Sequence, residues 1–351
     1  MFVIVSFVSG CFIRMYKYLA LSGGGIKGLS LLGSLRLLEG LGLLNEVDEY
    51  VGSSIGGVLV TMLASGFTAR DMYEIFFAIN PTDFVDYNFV EMFSRLGLES
   101  GDNIVKLFRS MLKMKMSPDV TFKEHRELTG KMLTLTGTCL NDKSLYYFNA
   151  ERSPEMKVID ALRITISFPI FFTPVEYDGK LFVDGAFLAP NPAIYFRHRF
   201  RKKNGDWNGD WNGKEDGNID WNKLLVLFSN TEQKFVESKA MLDDPALFLT
   251  NILNTFKVSY IEGNIGEFVE KGRVIVFDNN SFAMDFGLSD KDKFQLYLKG
   301  ARITFQFMFG NKKGMEWMRV LKYRAFKKWK NLQKNCQILM GEEKEKVIVK
   351  Q

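Results

Sequence analysis

Cysteine and histidine are scarce in this chain, and their scarcity excludes several kinds of site. The 351 residues contain three scattered cysteines, Cys11, Cys139 and Cys336, and no Cys-x-x-Cys pair. An odd set of distant thiols does not predict a disulfide framework or a zinc site, so we expect no metal centre. The two histidines are His125 and His198, and any catalytic chemistry therefore has few imidazoles available.

Strong charge and long apolar runs are also missing. A net charge of +5 is too mild to argue for a nucleic-acid partner. The apolar N-terminus, MFVIVSFVSGCFI, ends at Arg14; it is too short to span a bilayer and has no basic segment before it. We expect residues 1–14 to be an extension outside the fold and the protein to be cytoplasmic, with targeting by this stretch as the alternative.

The composition is that of a globular protein, with 46% hydrophobic and 25% charged residues. Short apolar runs at 16–21, 49–54, 132–140, 181–187, 223–229 and 273–278 are typical of strands. Between them, segments such as 27–44, 55–66 and 68–80 have the apolar pattern of helices. This alternation predicts an α/β fold with a largely parallel central sheet flanked by helices.

Two segments interrupt the pattern and set the expected boundaries. Residues 202–222 form a degenerate Gly-Asp-Trp-Asn repeat, interpreted as an exposed insertion. As a calcium loop the repeat fails, because Ile219 stands where a bidentate Glu is needed. Residues 312–334 carry nine Lys or Arg against one acid, and either dock on the domain or lie on an anionic membrane. We expect one domain at 15–300 and a basic helical tail at 301–351.

A glycine-rich loop, LSGGGIKG, follows the first predicted strand and opens a helix. It is no nucleotide P-loop, because Leu29 follows Gly28 where Lys and Ser or Thr are required. A dinucleotide fingerprint fits the glycines, but Glu46 and Asp48 are not preceded by a second strand. The third interpretation is an oxyanion hole formed by backbone N–H groups at a helix N-terminus. Lys27 in this loop is expected to face an acidic headgroup or, more simply, water.

The sequence VGSSIGG contains Gly52, Ser54 and Gly56 in a Gly-x-Ser-x-Gly pattern between a short strand and an apolar helix. In that context the serine hydroxyl is exposed on a tight turn and can act as a nucleophile. The alternative is an ordinary turn with Ser54 as a helix N-cap. Ser53 is expected to point elsewhere on the turn and to tolerate alanine.

A serine nucleophile needs a base, and neither histidine occurs in the sequence context of a catalytic turn. His125 lies in a charged helical stretch and His198 just before the insertion, so both are expected at the surface. Asp184 in LFVDGAF ends an apolar strand, where functional side chains of α/β sheets collect. It is therefore the best candidate for a carboxylate base, the alternative being a turn-forming residue.

The three motifs in this order resemble the patatin-like phospholipase family, over about residues 16–195. LSGGGIKG is similar to its oxyanion loop, GSSIG to its nucleophile elbow and VDGAF to its Asp-Gly motif; Ala186 replaces the commoner glycine. The resemblance implies Ser54 as nucleophile, Asp184 as base in a dyad without histidine, and Gly24 and Gly25 N–H groups as oxyanion donors. The glycines that would shape the loop and the two turns are Gly23, Gly28, Gly52, Gly56 and Gly185.

By this resemblance we expect a lipid acyl hydrolase that cleaves phospholipid esters through an acyl-serine intermediate, with no calcium or organic cofactor. The expected partner is a lipid substrate, with peripheral contact to an anionic membrane as an open alternative. A catalytically silent lipid-binding protein and a nucleotide-binding protein are the competing functions.

Overall fold

The computed structural model describes residues 15–79, 96–199, 220–231, 274–279 and 287–309. The expected N-terminal extension, almost all of the insertion at 202–222 and the basic segment at 312–334 lie outside these residues. Only the end of the insertion is described, where Trp221–Lys223 form one short 3-10 turn ahead of a strand.

Strands and helices alternate along the described chain as the apolar runs predict. The strands are β1 (Tyr18–Leu21), β2 (Glu49–Gly52), β3 (Gly97–Glu99), β4 (Met132–Cys139), β5 (Ser144–Phe148), β6 (Ile170–Phe172), β7 (Val175–Tyr177), β8 (Lys180–Asp184), β9 (Leu224–Thr231) and β10 (Val274–Asn279). The helices are α1 (Gly28–Gly40), α2 (Ile55–Ala64), α3 (Ala69–Ala78), α4 (Asp102–Lys113), α5 (Phe122–Thr129), α6 (Val158–Thr165), α7 (Ile194–Arg199) and α8 (Asp290–Phe309).

Most strands join one central sheet with the order β10-β9-β1-β2-β4-β8-β7, and β5 also pairs with β4. The five strands from β10 to β4 are parallel, whereas β5, β8 and β7 are added in antiparallel pairs. The prediction of a largely parallel α/β sheet is confirmed. β3 and β6 form a separate small parallel sheet.

Helices cover both faces of the central sheet, because its strands are apolar on both sides. One face packs Leu19 and Leu21 of β1 against α1 and α2, and the other packs Ala20 with residues of α7 such as Phe196. The carboxyl ends of β1 and β2 lie side by side, since Leu21 pairs with Gly52. The loops after these strands therefore meet at one edge of the sheet.

The last described helix, α8, packs closely against α1. A Cβ on Gly33 would lie 1.9 Å from the carbonyl oxygen of Tyr297, and one on Gly300 would lie 1.8 Å from that of Ser30. α8 runs from 290 to 309, so the boundary expected between residues 300 and 301 falls inside this helix. Within the described residues, no helix has both the length and the apolar character to cross a membrane.

Candidate active site

The glycine-rich loop follows β1 and turns directly into α1. Gly25 has a φ of 56°, a value that favours glycine, and Gly25–Lys27 form a 3-10 turn that leads into the helix. The Ser22 hydroxyl donates to the Gly23 carbonyl oxygen at 3.0 Å and accepts the Ser229 N–H at 2.7 Å. The loop is thus attached to β9, while the first N–H groups of the helical segment lack intrahelical acceptors.

Ser54 lies on a strained turn between β2 and α2. Its φ of 55° and ψ of −131° are unfavourable for a residue with a side chain, and such conformations cost about 1–3 kcal/mol. The backbone N–H of Ser54 donates to Thr165 Oγ1 at 3.0 Å, which fixes the strained peptide. Ser54 therefore lies on the sharp strand-to-helix turn that the Gly-x-Ser-x-Gly motif predicts.

The two motif glycines leave no room for a side chain. A Cβ on Gly52 would lie 2.5 Å from the Gly56 carbonyl oxygen. A Cβ on Gly56 would lie 2.3 Å from the carbonyl oxygen of Leu21. Both glycines are therefore needed for α2 to start directly against the end of β1.

Ser53 is fully buried and makes two side-chain hydrogen bonds. This environment argues against the expectation that Ser53 tolerates alanine. Its hydroxyl lies 2.6 Å from Thr136 Oγ1 and donates to the Ala189 carbonyl oxygen at 2.8 Å. Thr136 belongs to β4, and Ala189 follows the Asp184 turn. Ser53 thus connects the serine turn to the segment after Asp184.

We expect Ser53→Ala to lower the free energy of unfolding by about 1–3 kcal/mol, because it leaves the buried Thr136 hydroxyl and Ala189 carbonyl short of a partner. Thermal or urea unfolding measures the change. Ser110→Ala is the matched control, since Ser110 is exposed on α4. If Ser53→Ala has the same free energy of unfolding as the wild type, the two hydrogen bonds make no net contribution to stability.

Asp184 ends β8 and is fully buried. Its Oδ1 accepts the Ala186 N–H at 2.7 Å, its own N–H donates to the Ser167 carbonyl oxygen at 2.9 Å, and its carbonyl oxygen accepts the Thr138 hydroxyl at 3.0 Å. These bonds fix the backbone and one carboxylate oxygen. The following Gly185 is required because a Cβ there would lie 1.9 Å from Thr136 Oγ1.

The three motifs meet at the carboxyl edge of the sheet. A Cβ on Gly23 would lie 2.7 Å from the Ala186 Cβ and 3.2 Å from the Ser54 Cβ. A Cβ on Gly28 would lie 2.4 Å from Ile55 Cγ1. The glycine loop therefore packs directly on the serine turn and on the segment that follows Asp184.

Ser54 and Asp184 open into one deep cleft together with Gly24 and Gly25. The empty volume of the cleft, including its open mouth, is about 1360 Å³. Beyond these groups its walls are almost entirely apolar, formed by side chains of α1, α2, α3 and α4, and of the segment 166–172 that contains β6. A long hydrocarbon chain fits such walls, because its burial removes apolar surface from water.

A half-buried arginine, Arg163 on α6, connects the segments next to β3 and β6 to the body of the domain. Its Nη2 donates to the Ser100 carbonyl oxygen at 2.6 Å and to the Thr173 carbonyl oxygen at 2.9 Å, and its Nη1 donates to Ser167 Oγ. Burial lowers the pKa of Arg163 to about 10, so the guanidinium stays charged at neutral pH.

Neither histidine lies beside Ser54. His125 is fully buried, which corrects the expectation of a surface residue, and its Nε2 lies 3.2 Å from Ser65 Oγ beyond the far end of α2. The eleven residues from Ser54 to Ser65 correspond to about 16 Å of helix. Burial lowers the pKa of His125 to about 4, so it is neutral at physiological pH. His198 is exposed, as expected, and its Nδ1 lies 3.2 Å from the Tyr147 hydroxyl.

The structure corrects the expected exposure of Lys27 and weakens the interpretation of the glycine loop as a dinucleotide site. Lys27 is 1% exposed and is not part of the cleft wall, so it faces neither water nor a headgroup there. Glu46 and Asp48 precede β2 and lie at the amino edge of the sheet, opposite the glycine loop. An acid that binds a ribose would have to follow β2, so the dinucleotide interpretation loses its second element.

A comparison with family models decides which family this arrangement represents. The model described as Patatin-like phospholipase matches residues 19–197, just over half of the chain. The chain belongs to the patatin-like phospholipase family. The protein is therefore a lipid ester hydrolase.

Relatives of this patatin-like protein are found in viruses and bacteria. It is 32% identical over 205 residues to the "Probable lipid hydrolase 463L" of Invertebrate iridescent virus 6, covering 55% of this chain and 69% of that one. It is 25% identical over 299 residues to the "Uncharacterized protein R571" of Acanthamoeba polyphaga mimivirus, covering 83% of this chain and 93% of that one. The crystal structure of VipD from Legionella pneumophila matches with a TM-score of 0.53 at 15% identity. The match covers 84% of this chain and 67% of VipD, which supports the fold.

Several residues that support the site of this patatin-like protein were missed in the sequence. Thr165 and Thr136 hold the serine turn from α6 and β4, and Arg163 connects the segments next to β3 and β6. They lie far along the chain from Ser54 and belong to no motif. The one signal that could have pointed to a structural role is Arg163 among the apolar residues of DALRIT.

Proposed function

We propose that this protein hydrolyses fatty-acid esters of phospholipids through a Ser54–Asp184 dyad. The observation that supports it most is that Ser54, Asp184, Gly24 and Gly25 line one apolar cleft, with the glycine loop in contact with both motifs. Family membership supports the lipid substrate, and the location of His125 supports a dyad without imidazole.

In the first half of the reaction, the Asp184 carboxylate takes the proton of the Ser54 hydroxyl as Oγ attacks the ester carbonyl. The oxyanion is stabilised by the N–H groups of Gly24 and Gly25, which lie at the positive end of α1. The intermediate collapses when the C–O bond to the alcohol breaks, and Asp184 returns the proton to the leaving alkoxide. The product is an acyl ester on Ser54.

In the second half, water attacks the acyl-serine carbonyl while Asp184 accepts a proton from the water. The same two N–H groups stabilise the second oxyanion. Collapse releases the fatty acid, and the proton returns to Ser54 Oγ. The acyl chain lies between the apolar walls formed by α1, α2 and α4 throughout, where its burial holds the carbonyl near Ser54.

Labelling with a fluorophosphonate tests this function against a silent lipid-binding protein. An activated serine attacks phosphorus and displaces fluoride, whereas an ordinary serine does not react. We expect one adduct per chain, located on Ser54 by mass spectrometry of its peptide. An unlabelled chain without lipid hydrolysis would favour the silent alternative, and a label on another serine would place the nucleophile elsewhere.

A further inference from the structure

The described wall of the cleft contains one charged group that the proposed dyad does not use. Among the described residues that line it, Lys293 on α8 is the single cation. The remaining lining residues are apolar, apart from the glycine loop, Ser54 and Asp184. A lysine at this place needs an explanation, because an ammonium group in apolar surroundings is costly unless it is paired.

Lys293 is 6% exposed, and its position is fixed by the helix that carries it. α8 packs on α1 through the Gly33 and Gly300 contacts, and α1 begins at the glycine loop. The lysine is therefore held on the same rigid pair of helices that presents the oxyanion donors. It lines the same cleft as Ser54, so a substrate whose ester lies at Ser54 can extend toward it.

The ion pair that Lys293 makes with a described residue is weak. Its Nζ lies 3.5 Å from Asp290 Oδ1, and the Asp290 side chain is 49% exposed. An exposed carboxylate at this distance is screened by water and contributes little. An anion bound inside the cleft would interact more strongly, because the surrounding walls exclude water and lower the local dielectric.

We infer that Lys293 binds the phosphate of a glycerophospholipid and so favours phospholipids over uncharged glycerides with the same acyl chains. This inference rests on the proposed function. Both lipid classes present the same ester to Ser54 and the same hydrocarbon to the walls, and the phosphate is the group that distinguishes them. Lys293 is then a specificity-determining residue, separate from the dyad.

The test compares two variants of Lys293 and one control. Lys293→Met keeps the aliphatic stem and removes the charge, and Lys293→Arg keeps the charge. Lys291→Met removes a charge from the exposed side of the same helix. Each protein is assayed on phosphatidylglycerol and on diacylglycerol with identical acyl chains, in micelles of an uncharged detergent, and its melting temperature is measured.

For Lys293→Met, we expect kcat/KM on phosphatidylglycerol to fall about tenfold or more, the usual effect of losing a hydrogen bond to a charged group. Its rate on diacylglycerol should stay within about twofold of the wild type, and Lys293→Arg and Lys291→Met should keep the wild-type preference.

An equal loss on both substrates with a lower melting temperature would show that Lys293 is structural and overturn the inference. An unchanged preference would overturn it as well. If Lys293→Met keeps the wild-type preference for phosphatidylglycerol but loses the inhibition of diacylglycerol hydrolysis by added inorganic phosphate, the site binds free phosphate rather than the lipid headgroup, and the inference is wrong. In each of these cases Ser54-dependent hydrolysis persists, so the proposed function stands; its own failure would appear as activity that survives Ser54→Ala.

Discussion

Replacing Ser54 with alanine is expected to reduce phospholipid hydrolysis by about three orders of magnitude or more, as loss of a serine nucleophile does in other hydrolases. Neither the Ser53 hydroxyl nor the Thr165 hydroxyl can take its place. Ser53 is directed into the core, where it bonds Thr136 and Ala189, and Thr165 Oγ1 is occupied by the Ser54 N–H. Lipid analysis of mixed liposomes incubated with each protein measures the effect and also reveals which ester is cleaved.

The controls for this experiment separate chemistry from folding. The Ser54→Ala variant should keep the wild-type melting temperature, because the Ser54 side chain is partly exposed in the cleft. Ser110→Ala on α4 should keep full activity. Retention of more than a few per cent of activity by Ser54→Ala, in a preparation free of other lipases, would mean that Ser54 is not the nucleophile.

Asp184→Asn should be nearly inactive while remaining folded. The asparagine side-chain oxygen can still accept the Ala186 N–H that Asp184 Oδ1 now accepts at 2.7 Å, so the turn that begins at Gly185 keeps its shape. The amide cannot take the hydroxyl proton of Ser54, however, and the general base is lost. Turnover of a short-chain ester, together with circular dichroism of the same sample, measures both properties.

Matched variants decide between a dyad and a triad. Asp178→Asn makes the same chemical change at an exposed position in the turn before β8 and should keep full activity. His125→Gln and His198→Gln should keep activity within a few-fold. Complete loss of activity in a histidine variant that folds normally would require a Ser-His-Asp arrangement in place of the dyad.

The three motifs could be predicted from the sequence because each is a short run in which glycines flank a serine, follow an aspartate or follow a strand. Gly52, Gly56 and Gly185 stand where a Cβ would meet backbone or a buried hydroxyl, and short spacing is enough to indicate such positions. The buried strands were equally clear, since parallel strands covered on both faces are continuous apolar runs. These are properties of segments shorter than about ten residues.

The supporting contacts could not be predicted because they join distant parts of the chain. Ser53 meets Thr136 across 83 positions, and Ser54 meets Thr165 across 111. Lys27 was expected to face water or a headgroup, and His125 was expected at the surface because its neighbours in sequence are charged, but tertiary packing buries both. The expected boundary at residue 300 falls inside α8, which continues to Phe309.

The contact between Gly23 and Ala186 limits the order in which these two positions can change during evolution. The Ala186 methyl occupies space that a side chain at position 23 would need, and the Ser54 Cβ closes the other side. As long as alanine is present at 186, almost any replacement of Gly23 pushes the loop away from the serine. A change of Ala186 to glycine would remove the nearer of these two contacts, so the side chains that position 23 tolerates depend on a residue 163 positions away.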